Sequence, residues 1–417
     1  MTAGTSSSEL PPTPHHTATS KRTSRRSFAK AAGALGLAAA GLAATPLTAR
    51  AQRVVPGPVW GQRAAQSWES LQRHFATDDG SHLVRERFPY EPDNDNPYSY
   101  EWPFSQVHGA ALDLTGMVGA GSRFDGALAD AAIGQSRYWS KAGSTGLPGH
   151  ASYPMDPWGW GGDFFYDDNE WVGLIDVQRH LMLGGAPSDL DEAKAIFELV
   201  VSGWDTDPTH PAPGGVFWTQ APWSTDRNTV SNMPGAELGL RLHLITGEAR
   251  YLEWSLKMYE WTNATLQRPD GLYHDNIKLS GDIDRTIWSY NQGVPIGVNT
   301  LLYLATRDKK YVVEAQRIAD AAAAFYANGA LEKQPPFFNS IYFKNLLLLA
   351  SVTGKVDAHR RMGEYASWAW ANRRDASSGL FYFPNDDPTR SEVIENAAMV
   401  QIMAVLAWQQ RDWSKLY

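Results

Sequence analysis

Ile245-Thr246-Gly247-Glu248-Ala249-Arg250-Tyr251 is a tight turn between two helical patterns, and variants of this turn recur along the chain. Variants of the turn lie at residues 114–116, 183–189, 305–311 and 352–356. A glycine at the end of a helix favours the left-handed cap conformation, and the polar residues after it open the next helix. Turns of this kind recur every 47 to 68 residues, which indicates a structural repeat.

Helical periodicity predicts twelve helices arranged in pairs. The even-numbered helices are apolar nearly all round, which is typical of helices buried on every side. The odd-numbered helices are amphipathic, with charged outer faces. Six alternations of an inner and an outer helix predict an all-α fold, the (α/α)6 barrel. The predicted helices are 62–75, 105–117, 124–142, 167–183, 188–203, 231–246, 248–266, 291–306, 308–326, 338–353, 356–374 and 391–409.

Three connections share a pattern of glycine followed by aromatic residues, at 214–218, 270–273 and 378–382. Each connection falls between an outer helix and the next inner one. Because these connections gather at one end of such a barrel, we expect a mouth lined by aromatic side chains, with short loops or hairpins.

The first 51 residues have the features of an export signal. Ser24-Arg25-Arg26-Ser27-Phe28-Ala29-Lys30 matches a twin-arginine motif, and an Ala/Gly/Leu run follows it. Ala49-Arg50-Ala51 matches a small-x-small cleavage site. The sequence therefore predicts a cleaved, disordered signal at 1–51, a single barrel domain at 52–417, and secretion by the twin-arginine translocation machinery.

The charge and the composition narrow the range of partners. Without the signal, the chain has 31 Lys and Arg against 44 Asp and Glu, a net charge of −13. An acidic surface disfavours nucleic acid and anionic membrane, and no later segment is long and apolar enough for membrane insertion. We expect a monomer that acts on a neutral substrate. The chain contains no cysteine, so cysteine nucleophiles and thiolate metal sites are excluded.

Common cofactor and metal motifs are missing from the sequence. The 11 histidines show no metal-ligand spacing, and there is no HExxH, P-loop, Rossmann fingerprint or GxSxG elbow. We therefore predict no cofactor and no metal.

Asp167 and Asp168 are the candidate catalytic residues. They stand at the start of the fourth predicted helix, directly after a Gly- and Trp-rich loop at 156–162. Paired carboxylates carry out glycoside hydrolysis, and a retaining pair needs a separation of only ~5–5.5 Å, which adjacent side chains reach. The helix N-terminus favours the charged form of a carboxylate, while burial and like-charge repulsion favour the protonated form of its partner.

A structural interpretation of the same residues competes with the catalytic one, because aspartate is a preferred N-cap and adjacent aspartates at a helix start often serve only as a cap. A second polar and aromatic cluster at 288–293 opens the eighth predicted helix, and there too capping and packing compete with sugar binding. The residues predicted to bind substrate are Trp160, Tyr166, Trp171, Trp218, Asn232, Asp275, Trp288, Tyr290, Asn291 and Gln292.

The order of these motifs resembles glycoside hydrolase family 76, the endo-α-1,6-mannanases. The similarity covers roughly residues 100 to 375. It rests on Tyr166-Asp167-Asp168-Asn169-Glu170-Trp171, the glycine-aromatic segment at 214–218, Ser289-Tyr290-Asn291-Gln292-Gly293, and the turn at 306–312.

The resemblance implies an (α/α)6 barrel and retaining hydrolysis of α-1,6-mannosidic bonds in α-mannan. It implies that Asp167 is the nucleophile and Asp168 the general acid/base. Two alternatives stay open at this point. A retaining intermediate can be captured by a sugar, which would make the protein a transglycosylase, and a non-catalytic glycan-binding protein would keep the aromatic mouth without needing both acids.

Overall fold

The computed structural model describes residues 57–185, 190–384 and 387–417. The predicted signal, its cleavage site and the start of the mature chain lie outside the described residues, so these features stay predictions. In the described part of the chain no helix combines the length and the apolar character needed to cross a membrane.

Twelve α-helices occur in the described residues, as the periodicity predicted. They are α1 Gly57–Phe75, α2 Glu101–Thr115, α3 Asp125–Gln135, α4 Tyr166–Leu183, α5 Asp191–Ser202, α6 Thr229–Thr246, α7 Ala249–Leu266, α8 Ser289–Thr306, α9 Lys309–Phe325, α10 Pro336–Thr353, α11 Asp357–Asn372 and α12 Val393–Val405.

The even-numbered helices form a closed inner ring. Each contacts the next in the order α2, α4, α6, α8, α10 and α12, and α12 returns to contact α2. These helices are buried on nearly all faces over most of their length, which explains why their sequences lack a polar stripe. The predicted (α/α)6 barrel is confirmed.

The odd-numbered helices form the outer layer and bury one face each. In α9 the buried positions are Ala315, Ile318, Ala319 and Ala322, the spacing of a single helical stripe. In α11 they are Met362, Gly363, Tyr365, Ala366 and Ala369. The main hydrophobic core therefore lies between the two layers of helices.

Seven short strands lie in the described connections and form small antiparallel pairs or sheets. They are β1 Arg87–Phe88, β2 Trp139–Ser140, β3 Gly149–His150, β4 Asp226–Asn228, β5 Asn276–Lys278, β6 Ile283–Asp284 and β7 Ser391–Glu392. The pairs β1–β7 and β2–β3 and the three-stranded sheet β4–β5–β6 are all antiparallel. All seven strands lie between an outer helix and the next inner one, so they frame the predicted mouth.

Two local predictions were wrong. Gly116 does not adopt the left-handed cap: its φ is −80°, and a Cβ there would come within 2.1 Å of the Trp408 ring, so a glycine is needed for close packing. By contrast, Gly184, Gly247 and Gly354 do end inner helices with φ of 68°, 77° and 74°. Helix α3 ends at Gln135, not at 142, because a 3₁₀ turn follows and Trp139 pairs with His150.

Candidate active site

Asp167 and Asp168 lie in the first turn of inner helix α4, at the mouth of the barrel. Their side chains are only 2 % and 7 % exposed. The backbone N–H of Asp168 donates to Oδ1 of Asp167 at 3.0 Å, so one carboxylate uses an otherwise unpaired N–H of the helix start. A partial positive charge at this helix end favours an ionised carboxylate. The site therefore provides two adjacent, largely buried acids.

Glu170 lies directly behind the pair, one helical turn further into the barrel. It is fully buried, and burial together with the charges of Asp167 and Asp168 raises the pKa of its carboxyl well above the usual value. In the described residues no lysine or arginine forms an ion pair with it. A Cβ on Gly235 of α6 would come within 2.8 Å of Oε1 of Glu170, so that glycine makes room for the carboxyl.

Aromatic rings from three inner helices form one wall of the mouth. Tyr290 stacks on Phe338 with ring centroids 3.9 Å apart and planes 4° from parallel. Trp288 meets Phe338 edge-on at 5.3 Å, and Trp102 stacks on it at 6.0 Å. These contacts hold the rings rigidly, and each of the four residues is only 8–9 % exposed. The structure thus places the predicted Trp288 and Tyr290 together, with Phe338 at the centre of their cluster.

A second set of predicted aromatics lies beside the aspartate pair. Trp160 is 64 % exposed and stacks on Tyr153 at 3.8 Å. Trp218 meets Phe165, the residue before α4, edge-on at 5.0 Å. It also contacts Trp223 at 6.1 Å. Trp160 and Trp218 therefore flank the loop that leads into α4.

Tyr166 and Trp171 are packed in the core behind the mouth, which corrects the prediction that they bind substrate. Trp171 is 1 % exposed and Tyr166 is 3 % exposed. The ring of Tyr166 packs against Gly203, where a Cβ would come within 2.5 Å of the ring. These residues hold α4 in position and leave no ring face for a sugar.

Asn232 and Gln292 are also buried behind the mouth, where their amides bind backbone groups. Oδ1 of Asn232 accepts from the N–H of Val216 at 2.8 Å, and its Nδ2 donates to two carbonyl oxygens. Gln292 makes the equivalent bonds to the N–H and C=O of Tyr273 and to the carbonyl of Trp288. The prediction of direct sugar contact is corrected for both, because these amides position the loops of the mouth.

Asp275 and Asn291 lie together where the three-stranded sheet meets α8. Nδ2 of Asn291 donates to Oδ1 of Asp275 at 2.9 Å, while Oδ1 of Asn291 is buried without a hydrogen-bond partner in the described residues. Burial and the nearby charge of Asp284 raise the pKa of Asp275 to about 7, against the opposing effect of the two donating amides. The pair combines a carboxyl that titrates near neutrality with an unused acceptor.

The sequence analysis did not identify Trp102 and Phe338 as members of the aromatic cluster, nor Glu170 as a buried acid behind the aspartate pair. Trp102 and Phe338 stand in the first turns of α2 and α10, the same helix position as Asp167 and Asp168 in α4. Aligning the first turns of all inner helices was the signal that could have found them. In the described part of the chain, no group of three or more His, Cys, Asp or Glu side chains has a geometry that could hold a metal ion.

Comparison with known proteins gives one family. The sequence profile described as "Glycosyl hydrolase family 76" matches residues 90–352, well over half of the chain. Among curated proteins, the mannan endo-1,6-alpha-mannosidase DCW1 of Saccharomyces cerevisiae is 27 % identical over 152 residues, which is 34 % of this chain and 33 % of that protein. The DCW1 protein of Candida albicans is 26 % identical over 33 % of this chain and 31 % of its own length. The chain thus spans about a third of the curated relatives it matches.

Solved structures agree on the fold. A family 76 mannosidase from Bacteroides thetaiotaomicron superposes with a TM-score of 0.72 at 23 % identity, over 84 % of this chain and 98 % of that one. An inactive variant of the α-1,6-mannanase of Salegentibacter, with two adjacent aspartates changed to asparagine, was solved with α-1,6-mannotriose. It superposes with a TM-score of 0.65 at 21 % identity, over 84 % of this chain and 99 % of that one.

Proposed function

Because the chain belongs to glycoside hydrolase family 76, we propose that it is a retaining glycoside hydrolase that cleaves α-1,6-mannosidic bonds in α-mannan. The observation that carries the proposal is the pair Asp167 and Asp168 in the first turn of α4. We further propose that the protein is exported through the twin-arginine translocation machinery and acts outside the cell as a monomer.

The geometry supports a two-step reaction at this pair. In the first step Asp167 attacks the anomeric carbon, the bond to the glycosidic oxygen breaks, and Asp168 donates its proton to that oxygen. In the second step Asp168 takes a proton from water, which attacks the anomeric carbon and releases Asp167. Adjacent side chains suit the ~5–5.5 Å separation that a retaining mechanism requires, and one acid must be charged while the other is protonated.

The surroundings of the pair favour a neutral sugar polymer. The ring of Trp160 is 64 % exposed beside the pair, and the stacked cluster of Trp288, Tyr290 and Phe338 adds an apolar edge that is 8–9 % exposed. The chain without its signal has a net charge of −13, which repels anionic polysaccharides. A neutral mannan meets both conditions.

The proposal is tested by incubating the full chain with linear α-1,6-mannan and measuring new reducing ends. Asp167→Asn and Asp168→Asn should each lower turnover at least about 100-fold while circular dichroism stays unchanged. Asp191 supplies the matched control, since it is an exposed aspartate in the first turn of outer helix α5; Asp191→Asn should keep full activity. Near-normal turnover by either Asp167→Asn or Asp168→Asn would refute the assignment.

Azide rescue separates the two roles on an aryl α-mannoside, whose leaving group needs no proton. With Asp168→Asn, the enzyme-bound sugar should react with azide to give the α-mannosyl azide. With Asp167→Asn, azide should attack directly and give the β-mannosyl azide. The opposite pattern would exchange the roles of the two aspartates.

A further inference from the structure

A separate pocket opens at the mouth, on the side formed by the connection between α3 and α4. It has a volume of about 290 Å³, close to the lower end of ligand pockets. One edge is the β2–β3 hairpin, the other is the loop that ends at Phe164, three residues before Asp167. Its lining is Ser140, Ala142, Gly143, Ser144, Ala151, Met155, Trp160, Gly161, Gly162, Asp163, Phe164 and Gln220.

Trp160 gives this pocket a prepared platform. Its ring lies nearly parallel to Tyr153, with planes 16° apart, yet the residue stays 64 % exposed. Tyr153 is itself buried and fixed, because its hydroxyl accepts from the N–H of Tyr98 at 3.2 Å. An exposed tryptophan costs free energy in water unless a partner covers it, and its rigid support lowers the entropy lost on binding.

Gln220 and Ser144 form a hydrogen-bonded polar side of the pocket. Oε1 of Gln220 accepts from the N–H of Ser144 at 2.6 Å and from its hydroxyl at 2.5 Å, while its Nε2 is buried and has no partner in the described residues. A Cβ at Gly143 would come within 2.5 Å of Oε1, so the glycine allows the amide to lie there. The amide thus keeps an unused donor beside an apolar platform.

The ionisable residues of the pocket lining indicate that its ligand is not an anion. Asp163 is its one ionisable side chain, and none of the described lining residues is lysine, arginine or histidine. A sugar with a carboxylate or a phosphate would find no counter-charge here and would face Asp163. A neutral pyranose instead matches an aromatic face, an amide donor and a carboxylate acceptor.

We propose that this pocket, with Trp160 as its floor and Asp163 and Gln220 as its polar side, is an accessory subsite for one neutral sugar ring away from the cleaved bond. The inference rests on the proposed function for the identity of the polymer. The ring comes from one of two sources, a further unit of the main chain or a side branch.

The test is calorimetric titration of the full chain carrying Asp167→Asn, which prevents turnover, with linear α-1,6-mannooligosaccharides of increasing length and with branched ones. Trp160→Ala removes the platform. Ala142→Trp fills the pocket from an exposed position of the hairpin and leaves Trp160 in place. Phe325→Ala is the control, since Phe325 is an exposed aromatic on outer helix α9.

Each pocket variant should bind the longer or the branched ligands about tenfold more weakly, the size expected when one apolar ring face loses its partner. The shortest ligands and the Phe325→Ala control should bind as before. A loss confined to long linear ligands would assign a main-chain unit, and a loss confined to branched ligands would assign a side branch.

Unchanged binding of every ligand by both pocket variants would overturn the inference, even if the wild-type chain hydrolyses mannan. Conversely, Trp160-dependent binding of neutral oligosaccharides by a chain that hydrolyses none of them would refute the proposed function and leave the subsite standing.

Discussion

Glu170 is the residue whose ionisation bears most directly on the aspartate pair. On a helix, residues three apart share a face, so its carboxyl lies below Asp167 and faces Gly235 of α6. Three ionised carboxyls so close together in a buried site would repel one another strongly. The raised pKa of Glu170 removes one of the three charges, and the pair is left to carry the charge that the chemistry needs.

We expect Glu170→Gln to retain activity within about threefold, a change below 1 kcal/mol in the barrier. Glutamine has nearly the same shape as the protonated acid and is neutral at every pH. Initial rates on linear α-1,6-mannan, measured from pH 5 to pH 8, are the readout. A loss of activity comparable to that of Asp168→Asn would mean that the proton of Glu170 takes part in the reaction.

Individual residues differ in how well the sequence predicts their positions. The helix-start position of Asp167 and Asp168 was predictable, because it depends only on local pattern. The prediction that Trp171 binds substrate was wrong. Trp171 shares a helix face with Asp167, but it lies about one turn further along α4, a rise of about 5.4 Å, and is therefore buried in the core. The Tyr290–Phe338 stack joins two helices, and such contacts cannot be derived from periodicity alone.

In four of the six inner helices, α4, α6, α8 and α12, an amide side chain at the fourth helix position fixes a loop of the mouth. Asn169, Asn232, Gln292 and Asn396 each donate to the carbonyl four residues earlier. Each also accepts an N–H from the preceding connection, from His150, Val216, Tyr273 and Phe381 respectively. We call this set the amide clamps. They tie every one of these loops to the helix that carries the mouth residues.

In three of these amide clamps, the loop that the amide binds carries the glycine-aromatic pattern of the sequence. Gly214, Gly271 and Gly379 have φ of 102°, 100° and 78°, a region open mainly to glycine. In each case the residue two positions later is the one that the amide binds. The glycine-aromatic pattern is visible in the sequence. The amide that binds each of these loops lies 15 to 19 residues further along the chain, so the contact between loop and amide could be identified only in the structure.

Asn232→Ala should lower the free energy of unfolding by about 2–4 kcal/mol, because it removes three buried hydrogen bonds and leaves the N–H of Val216 unpaired. Asn372 makes the same bond to the carbonyl four residues earlier, but at an exposed site. Asn372→Ala should therefore cost less than about 0.5 kcal/mol. Urea unfolding of both variants gives the comparison, and equal losses would show that the clamp adds nothing beyond the local bond.

The strand pair β1–β7 joins the two ends of the described barrel. Arg87 and Phe88 pair with Glu392 and Ser391, more than 300 residues apart in the chain. Glu86 lies beside this pair and accepts from the N–H of Tyr100 at 3.2 Å. Burial and the nearby Glu392 raise the pKa of Glu86 to about 7. The closure of the ring thus contains an acid that titrates near neutrality.

Because the pKa of Glu86 is raised in the folded protein, ionisation of this residue should lower the free energy of unfolding as the pH rises. A carboxyl whose pKa is raised on folding stabilises the protein at low pH, and that contribution is lost as the pH rises from about 4.5 through about 7. Glu86→Gln cannot ionise, so relative to wild type it should gain on the order of 1–3 kcal/mol between pH 5 and pH 8. Urea unfolding at both pH values measures the gain, and the exposed Glu253→Gln is the control. A constant difference between Glu86→Gln and wild type would contradict the account.

The anomeric configuration of the first product shows whether Asp167 and Asp168 act together as a retaining pair. Proton NMR of an α-1,6-mannooligosaccharide during the first minutes with the wild-type chain should show the α-anomer of the new reducing end before mutarotation produces the β-anomer. Initial appearance of the β-anomer would show single-step inversion and rule out Asp167 as a nucleophile, and the absence of any new reducing end from a folded chain would contradict the proposed activity itself.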